Sequence, residues 1–340
     1  MPPLLNPANV YAADSPGNLN PVARQAPALV YVPNSGSNNV DVIDQQTLKV
    51  IRSFPVKERP EHVVPSYDLK TLYAVSDLGN SLQPIDPATG KPAGGPIPVP
   101  DPYNMYFTPD GRYAITVAER LKRLDFRDPH TMALRLSVSV PTCPGVDHAD
   151  FSADGRYMYV SCEFLGAMIE LDLQGQPRVI RTLDLQPKPA SPQDVKLSPD
   201  GKLIYTADQD RGGLWEIDPN TFKVVGFLPT GSGAHGLYPS RDDRYLYVSN
   251  RKEGTISVVD FATRQIVKTW NLGSSSPDMG NVSNDGKTLW LSGRYNSEVY
   301  VIDTQTGALR ARIPVGEGPH GLCVWPQPGR YSLGHTGILR

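Results

Sequence analysis

No window of this 340-residue sequence approaches the roughly 18 to 20 uninterrupted apolar residues that a membrane-spanning helix needs, so no membrane span is expected. Charge of one sign is equally lacking. The 33 basic and 35 acidic residues leave a net charge of −2, and no Lys/Arg cluster stands out to neutralise phosphates, which argues against nucleic acid as a partner. Cysteine is scarce, at three, and no CxxC, HExxH or GxSxG motif is present. That removes the sequence-local metal motifs and the nucleophile elbow.

What is abundant is proline and glycine, 34 and 30 residues, about 19% of the chain, spread over turn positions instead of being gathered into a linker. Such a density suits many short strands and few helices. The order behind it is a repeat. Ser66, Thr108, Ser152, Ser198, Ser240, Ser283 and, with the hydroxyl lost, Trp325 each end a strand-like segment, at spacings of 42, 44, 46, 42, 43 and 42 residues. An aspartate closing an apolar run keeps step at Asp44, Asp86, Asp125, Asp172, Asp218, Asp260 and Asp303. Two markers sharing one period define a repeat architecture.

The unit from Ser191 to Phe227 reads as four strands, SPQDVKLS, LIYTA, LWEID and VVGFLP, joined by turns. Asp and Gly of its PDGK turn supply the local hydrogen bond and the positive φ of a tight hairpin, and the motif recurs as PDGR, ADGR and NDGK. Radial packing of such four-stranded sheets protects both their faces and their edges, which is a β-propeller. The chain begins at residues 28–32 with the second strand of a blade and ends with an extra first strand, His320 to Trp325. Seven blades are therefore expected, the last strand completing the first blade. The expected division is an extension at 1–27, one propeller at 28–330 and a tail at 331–340.

The segments YVPNSGSNNVDVID (31–44) and YVSNRKEGTISVVD (247–260) resemble the YVTN repeat, as GPHGLCVWPQPGR resembles its first strand and turn. The resemblance covers residues 28–330 and implies the same all-β, seven-bladed fold. Such propellers include surface-layer components, periplasmic binding proteins and, more distantly, lactonases, lyases and haem carriers, so fold does not decide activity.

In a propeller the first strand of each blade lines the central channel. Aligned on the Ser/Thr landmark, the blades place Glu61, Tyr103, Asp147, Gln193, His235, Asp278 and His320 five residues before it, and His62, Asn104, His148 and Asp194 four before it. Four of the six histidines thus share one level with four carboxylates. Loops after the second strands add Asp77, Glu119, Glu163, Asp208, Asp210, Arg251 and Arg294 on the same face. The opposite face repeats bland turns, so the loop face is the expected site of function.

Three readings fit this ring: polar groups that satisfy strand starts around a water-filled channel; a divalent metal on His62, His148, His235 or His320; or a metal-free site for an anionic or polyol ligand on Arg251, Arg294 and the histidines. As a catalytic set His235, Asp278 and His320 are preferred, since they occupy equivalent places in blades six, seven and one. Asp147 with His148 is disfavoured because successive strand residues point to opposite faces. Glu61, Tyr103, Asp147, Asp194, Arg251 and Arg294 are the expected ligand contacts. The function expected is a binding or scaffold module, monomeric, engaging a small molecule or protein at the channel mouth; the alternative is a metal-dependent lyase or hydrolase using the same ring. His130 and His335 are assigned no role, and the four tryptophans are read as blade packing.

Residues 1–27 have no charged n-region followed by an apolar core, so they are no signal peptide, and an exported protein whose leader has been removed is the expectation. Cys143 and Cys162 flank one hairpin. A disulfide and two ordinary thiols fit equally, since register is not set to the residue by sequence. Cys323 lies in an apolar strand.

Overall fold

Each Ser/Thr landmark closes its hairpin with its own hydroxyl. Ser152 Oγ donates to Asp154 Oδ1 at 2.6 Å and accepts the Tyr157 amide at 2.9 Å; Thr108, Ser198 and Ser283 repeat both bonds. Gly155 at the turn takes φ +69°, the left-handed conformation that glycine adopts without strain. This local chemistry is why the landmark recurs.

The computed structural model describes residues 1–335 and 338–340. Its hairpins assemble into seven antiparallel sheets, the blades of a closed propeller. Blade four is typical: Val146–Phe151 lines the channel, followed outward by Tyr157–Cys162, Ala167–Asp172 and Arg178–Asp184. The three inner strands are almost wholly buried because neighbouring blades pack on both faces, whereas the outermost alternates between half-buried and exposed residues. Trp215, Trp270, Trp290 and Trp325 all lie in the apolar layers within and between blades, as expected.

Closure is as expected from the repeat count. Cys323–Trp325 pairs antiparallel with Leu29–Asn34, aligning Trp325 with Leu29 and Cys323 with Tyr31, so the two ends of the propeller share blade one. Two details differ from the sequence reading. The turn aspartate of blade three is Asp128, whose Oδ1 accepts the amides of His130 and Thr131, while Asp125 is buried within a strand and paired with Arg127. In blade two the outer strand is broken into Lys91–Pro92 and Ile97–Pro98 by a Gly/Pro-rich stretch that cannot sustain a ladder.

The segments outside the repeat close the turn face. Residues 1–27 run across it: the Val10 amide donates to Pro199 O, Asn9 Nδ2 to Asp243 Oδ2 and the Gly17 amide to Asn284 Oδ1. Beneath them the chain after Arg330 turns into the channel. Ser332–Gly334 and Ile338–Leu339 form a hairpin that adds to the inner edge of blade three, pairing Gly334 with Tyr106. Leu333, Leu339 and Arg340 are fully buried there.

Cys143 and Cys162 form a disulfide, tying the start of blade four's inner strand to the end of its second strand across a sequence separation of 19 residues; Cys323 is a buried thiol. Chain entropy assigns a loop of this size about 3 kcal/mol. Replacing both cysteines by alanine is therefore expected to lower the unfolding free energy by about that amount in denaturant titrations, and an unchanged midpoint with unchanged slope would show that the bond contributes nothing.

Candidate functional site

The inner strands do not run as simple pleats. In blades two, four, five, six and seven the register slips by one extra residue at Pro60/His62, Val146/Ala149, Pro192/Val195, Ala234/Leu237 and Pro277/Gly280. Such a bulge suspends the alternation of faces and lets two successive side chains turn into the channel. The amide it frees is satisfied from the second strand: His148 N donates to Ser161 Oγ at 3.0 Å, Gly236 N to Ser249 Oγ at 2.8 Å and Met279 N to Ser292 Oγ at 3.2 Å. The serine of the Tyr-Val-Ser and Trp-Leu-Ser strand endings is thus a positioning residue, which the sequence reading passed over. The same bulge removes the objection to Asp147 with His148: both are buried, and Asp147 Oδ1 lies 2.7 Å from His148 Nδ1.

Five of the six histidines meet at this level. The rings of His62 and His148 are 5.6 Å apart, His62 and His320 4.9 Å, and His148 and His235 6.2 Å. The fifth is His335, which the sequence gave no role because it stands outside the repeat; the tail hairpin carries its ring to 5.2 Å from His62 and 4.8 Å from His148. His130 is the exception, exposed on an outer turn as expected. None of the five is more than 3% exposed.

Two groups of three converge. His62, His148 and His335 each offer a nitrogen, all three within 4.8 Å of one another, and His235, Asp278 and His320 do the same with a carboxylate oxygen in place of one nitrogen. Their charge environments differ. Asp278 Oδ1 takes Arg251 Nη1 at 3.1 Å and His235 Nδ1 at 3.1 Å; Glu61 takes Arg59 Nε at 2.8 Å, Arg294 Nη1 at 3.1 Å and His320 Nδ1 at 2.8 Å. Guanidinium groups therefore already neutralise the second group. Behind the first stand Asp147, and Asp194 with Oδ1 3.4 Å from His335 Nε2, neither of them paired with an arginine among the described residues. Neither ring nitrogen of His62 has a hydrogen-bond partner among those residues.

Burial pushes the pKa of His62, His235 and His320 well below the ordinary imidazole value, the neighbouring histidines adding to the effect at His62 and Arg251 or Arg294 at the other two. His335 is lowered to about 4 by burial, against the pull of Asp194. His148 is raised: burial opposes its charge, but Asp147 outweighs it. The cluster is thus one of mostly neutral imidazoles, in which His62 keeps both nitrogens without a hydrogen-bond partner among the described residues and His335 Nδ1 faces Asn104 Nδ2 at 3.0 Å.

Tyr103 packs edge-on against His62 and His148 at 5.4 and 6.0 Å, on the loop side of the cluster. Beyond it lie Glu119 and Glu163, raised to about 8 and about 7 by burial and by repulsion from Asp147. Gln209 bridges Glu163 to Arg251, with bonds of 2.9 and 2.7 Å. The expected ligand contacts Glu61, Tyr103, Asp147, Asp194, Arg251 and Arg294 are therefore gathered in one region, with the ring sunk below the channel mouth. A groove of about 490 Å³ opens instead on the turn face, between Asp200, Tyr205, Arg244 and Phe261, and it collects no histidine.

The sequence matches the YNCE-like beta-propeller family over residues 6–328. No curated protein matches it. Among solved structures, a functionally unknown protein from Desulfotomaculum acetoxidans is similar at a TM-score of 0.75 and 14% identity, over 88% of this chain and 99% of that one. Hydrazine synthase of Kuenenia stuttgartiensis is similar at 0.71 and 19%, over 83% and 93%. Virginiamycin B lyase from Staphylococcus aureus follows at 0.62 and 13%, over 75% and 84%. At these identities the likeness is one of fold.

Proposed function

The chain belongs to the YNCE-like beta-propeller family, and on that premise we propose that it is a binding propeller whose channel holds a divalent transition-metal ion on buried imidazoles. One observation carries this reading: five buried histidine rings linked by neighbouring contacts, with the nitrogens of His62 unpartnered among the described residues. Buried polar atoms are normally satisfied, and a cluster of imidazoles left open is what a nitrogen-preferring ion such as Zn, Cu, Ni or Co requires. The group His62, His148 and His335 is favoured over His235, Asp278 and His320, because a cation there faces Asp147 and Asp194; Lys196 stands near Asp194, and neither carboxylate is paired with an arginine among the described residues. Imidazoles whose outer nitrogens meet carboxylates are the usual support of a metal ligand. A disulfide points to an oxidising compartment outside the cytosol, with the protein acting there as a monomer.

Protein purified without a histidine tag is expected to carry, or take up, about one ion per chain by elemental analysis, and His62→Ala and His148→Ala to lose it. Wild-type protein that stays metal-free after exposure to Zn(II), Cu(II) and Co(II) would sink the proposal.

A metal-dependent lyase or hydrolase is the second reading, favoured by Glu163, whose pKa near 7 suits proton transfer beside the cluster. Glu163→Gln separates the two: metal content stays in either case, and only an enzyme loses turnover.

A further inference from the structure

Resting on that metal reading, we propose that the tail hairpin is the closing element of the site: His335 is the third ligand, and the bound ion locks Ser332–Gly334 and Ile338–Leu339 into the channel. His62 and His148 sit on inner strands paired to their blades on either side of a bulge. His335 comes instead from the end of a short strand docked on the propeller's inner edge, its own amide donating to Met105 O at 2.8 Å, the Ser332 amide to Tyr67 O at 3.1 Å and Ser332 Oγ to Pro65 O at 3.0 Å, with Arg340 anchored beyond it on Asp150. The contact is shaped for docking. Gly334 has φ +98°, and a Cβ there would lie 2.5 Å from both Met105 O and Tyr106 Cα, so only glycine lets the hairpin approach. Tyr106 then stacks on the imidazole at 5.9 Å, and Asn104 Nδ2 lies 3.0 Å from His335 Nδ1.

Distance adds a second argument. The three nitrogens lie within 4.8 Å of one another, whereas tetrahedral coordination at 2.0–2.1 Å places ligand nitrogens about 3.3 Å apart. Loading the ion draws the triad together, and of its three carriers the tail is the one joined to its blade at a single paired residue, Gly334 with Tyr106.

The test uses the full-length protein with Co(II) as the probe, read by its visible absorption and by competition with Zn(II), alongside hydrogen exchange at the amides of Ser332, His335 and Arg340. Removing a ligand is expected to weaken Co(II) binding by about 100-fold or more in His335→Ala, and to change the spectrum, while His130→Ala behaves as wild type. In the wild type the ion slows exchange at those three amides, a readout that needs no variant to fold. Equal affinity of His335→Ala and wild type, or exchange unmoved by a bound ion, overturns the tail's role and leaves the metal reading standing. Wild type that binds no Co(II) or Zn(II) overturns both.

Discussion

Trp325→Ala is expected to lower the unfolding free energy by about 3–5 kcal/mol, the range for truncating a large buried aromatic. Trp325 is fully buried on the short strand that closes the ring, within an apolar layer that includes Leu29, Tyr31 and Val42 of blade one, Val63, Leu72 and Ile85 of blade two, and Leu339 of the tail. Its carbonyl also shares Gln45 Nε2 with Leu29 O, each bond 2.9 Å. The truncation therefore opens a cavity where the two ends of the propeller and two neighbouring blades meet. Trp325→Phe, which keeps most of the volume, is expected to recover over half of the loss. Denaturant titration of the three proteins decides it; a cost below about 1 kcal/mol for the alanine variant would mean that closure rests on the ladder to Leu29–Asn34 and not on packing.

Asp150→Ala is expected to cost a similar 3–5 kcal/mol, for a different reason. Its carboxylate is fully buried and accepts from the Phe151 amide at 2.7 Å, from the Leu197 amide of blade five at 2.7 Å and from Arg340 Nη2 at 3.3 Å. Deleting one member of a buried pair strands the other's charge, and here two backbone donors lose their acceptor as well. Arg340→Ala should cost less, because Asp150 keeps both amides. The double variant should fall short of the sum of the singles, since Arg340 no longer has an unpaired charge to bury. Additive costs in the same titration would show that the two residues do not act as a pair.

The repeat made the blades legible because a hydroxyl, a carboxylate and a glycine at fixed offsets build each turn locally. It also located the ring, since residues at equal distances before those turns lie at equal heights in the channel. Adjacency within the ring was not legible. The objection to Asp147 with His148 assumed a regular pleat, and the bulge that undoes it depends on a serine in the next strand. His335 escaped because no period reaches it; its place is set by a hairpin docking in three dimensions. The bridge between Cys143 and Cys162 stayed open for a related reason, as one residue of register decides whether two thiols meet. Asp125 reads as the turn residue in place of Asp128 because blade three has a second aspartate three residues early, inside the strand; Asp128 stands 20 residues after Thr108, the offset that Asp172 keeps from Ser152.

The bulged inner strand makes blade four a self-contained carrier of function. A regular strand lends the channel one side chain at a given height, so any dyad would have to be assembled from two blades and their relative placement. With the extra residue, Asp147 and His148 travel together as a paired acid and imidazole on one six-residue strand and its serine-bearing neighbour. A propeller built this way can acquire, duplicate or exchange an acid–imidazole pair by recombination of a single blade, without redesigning the ring around it.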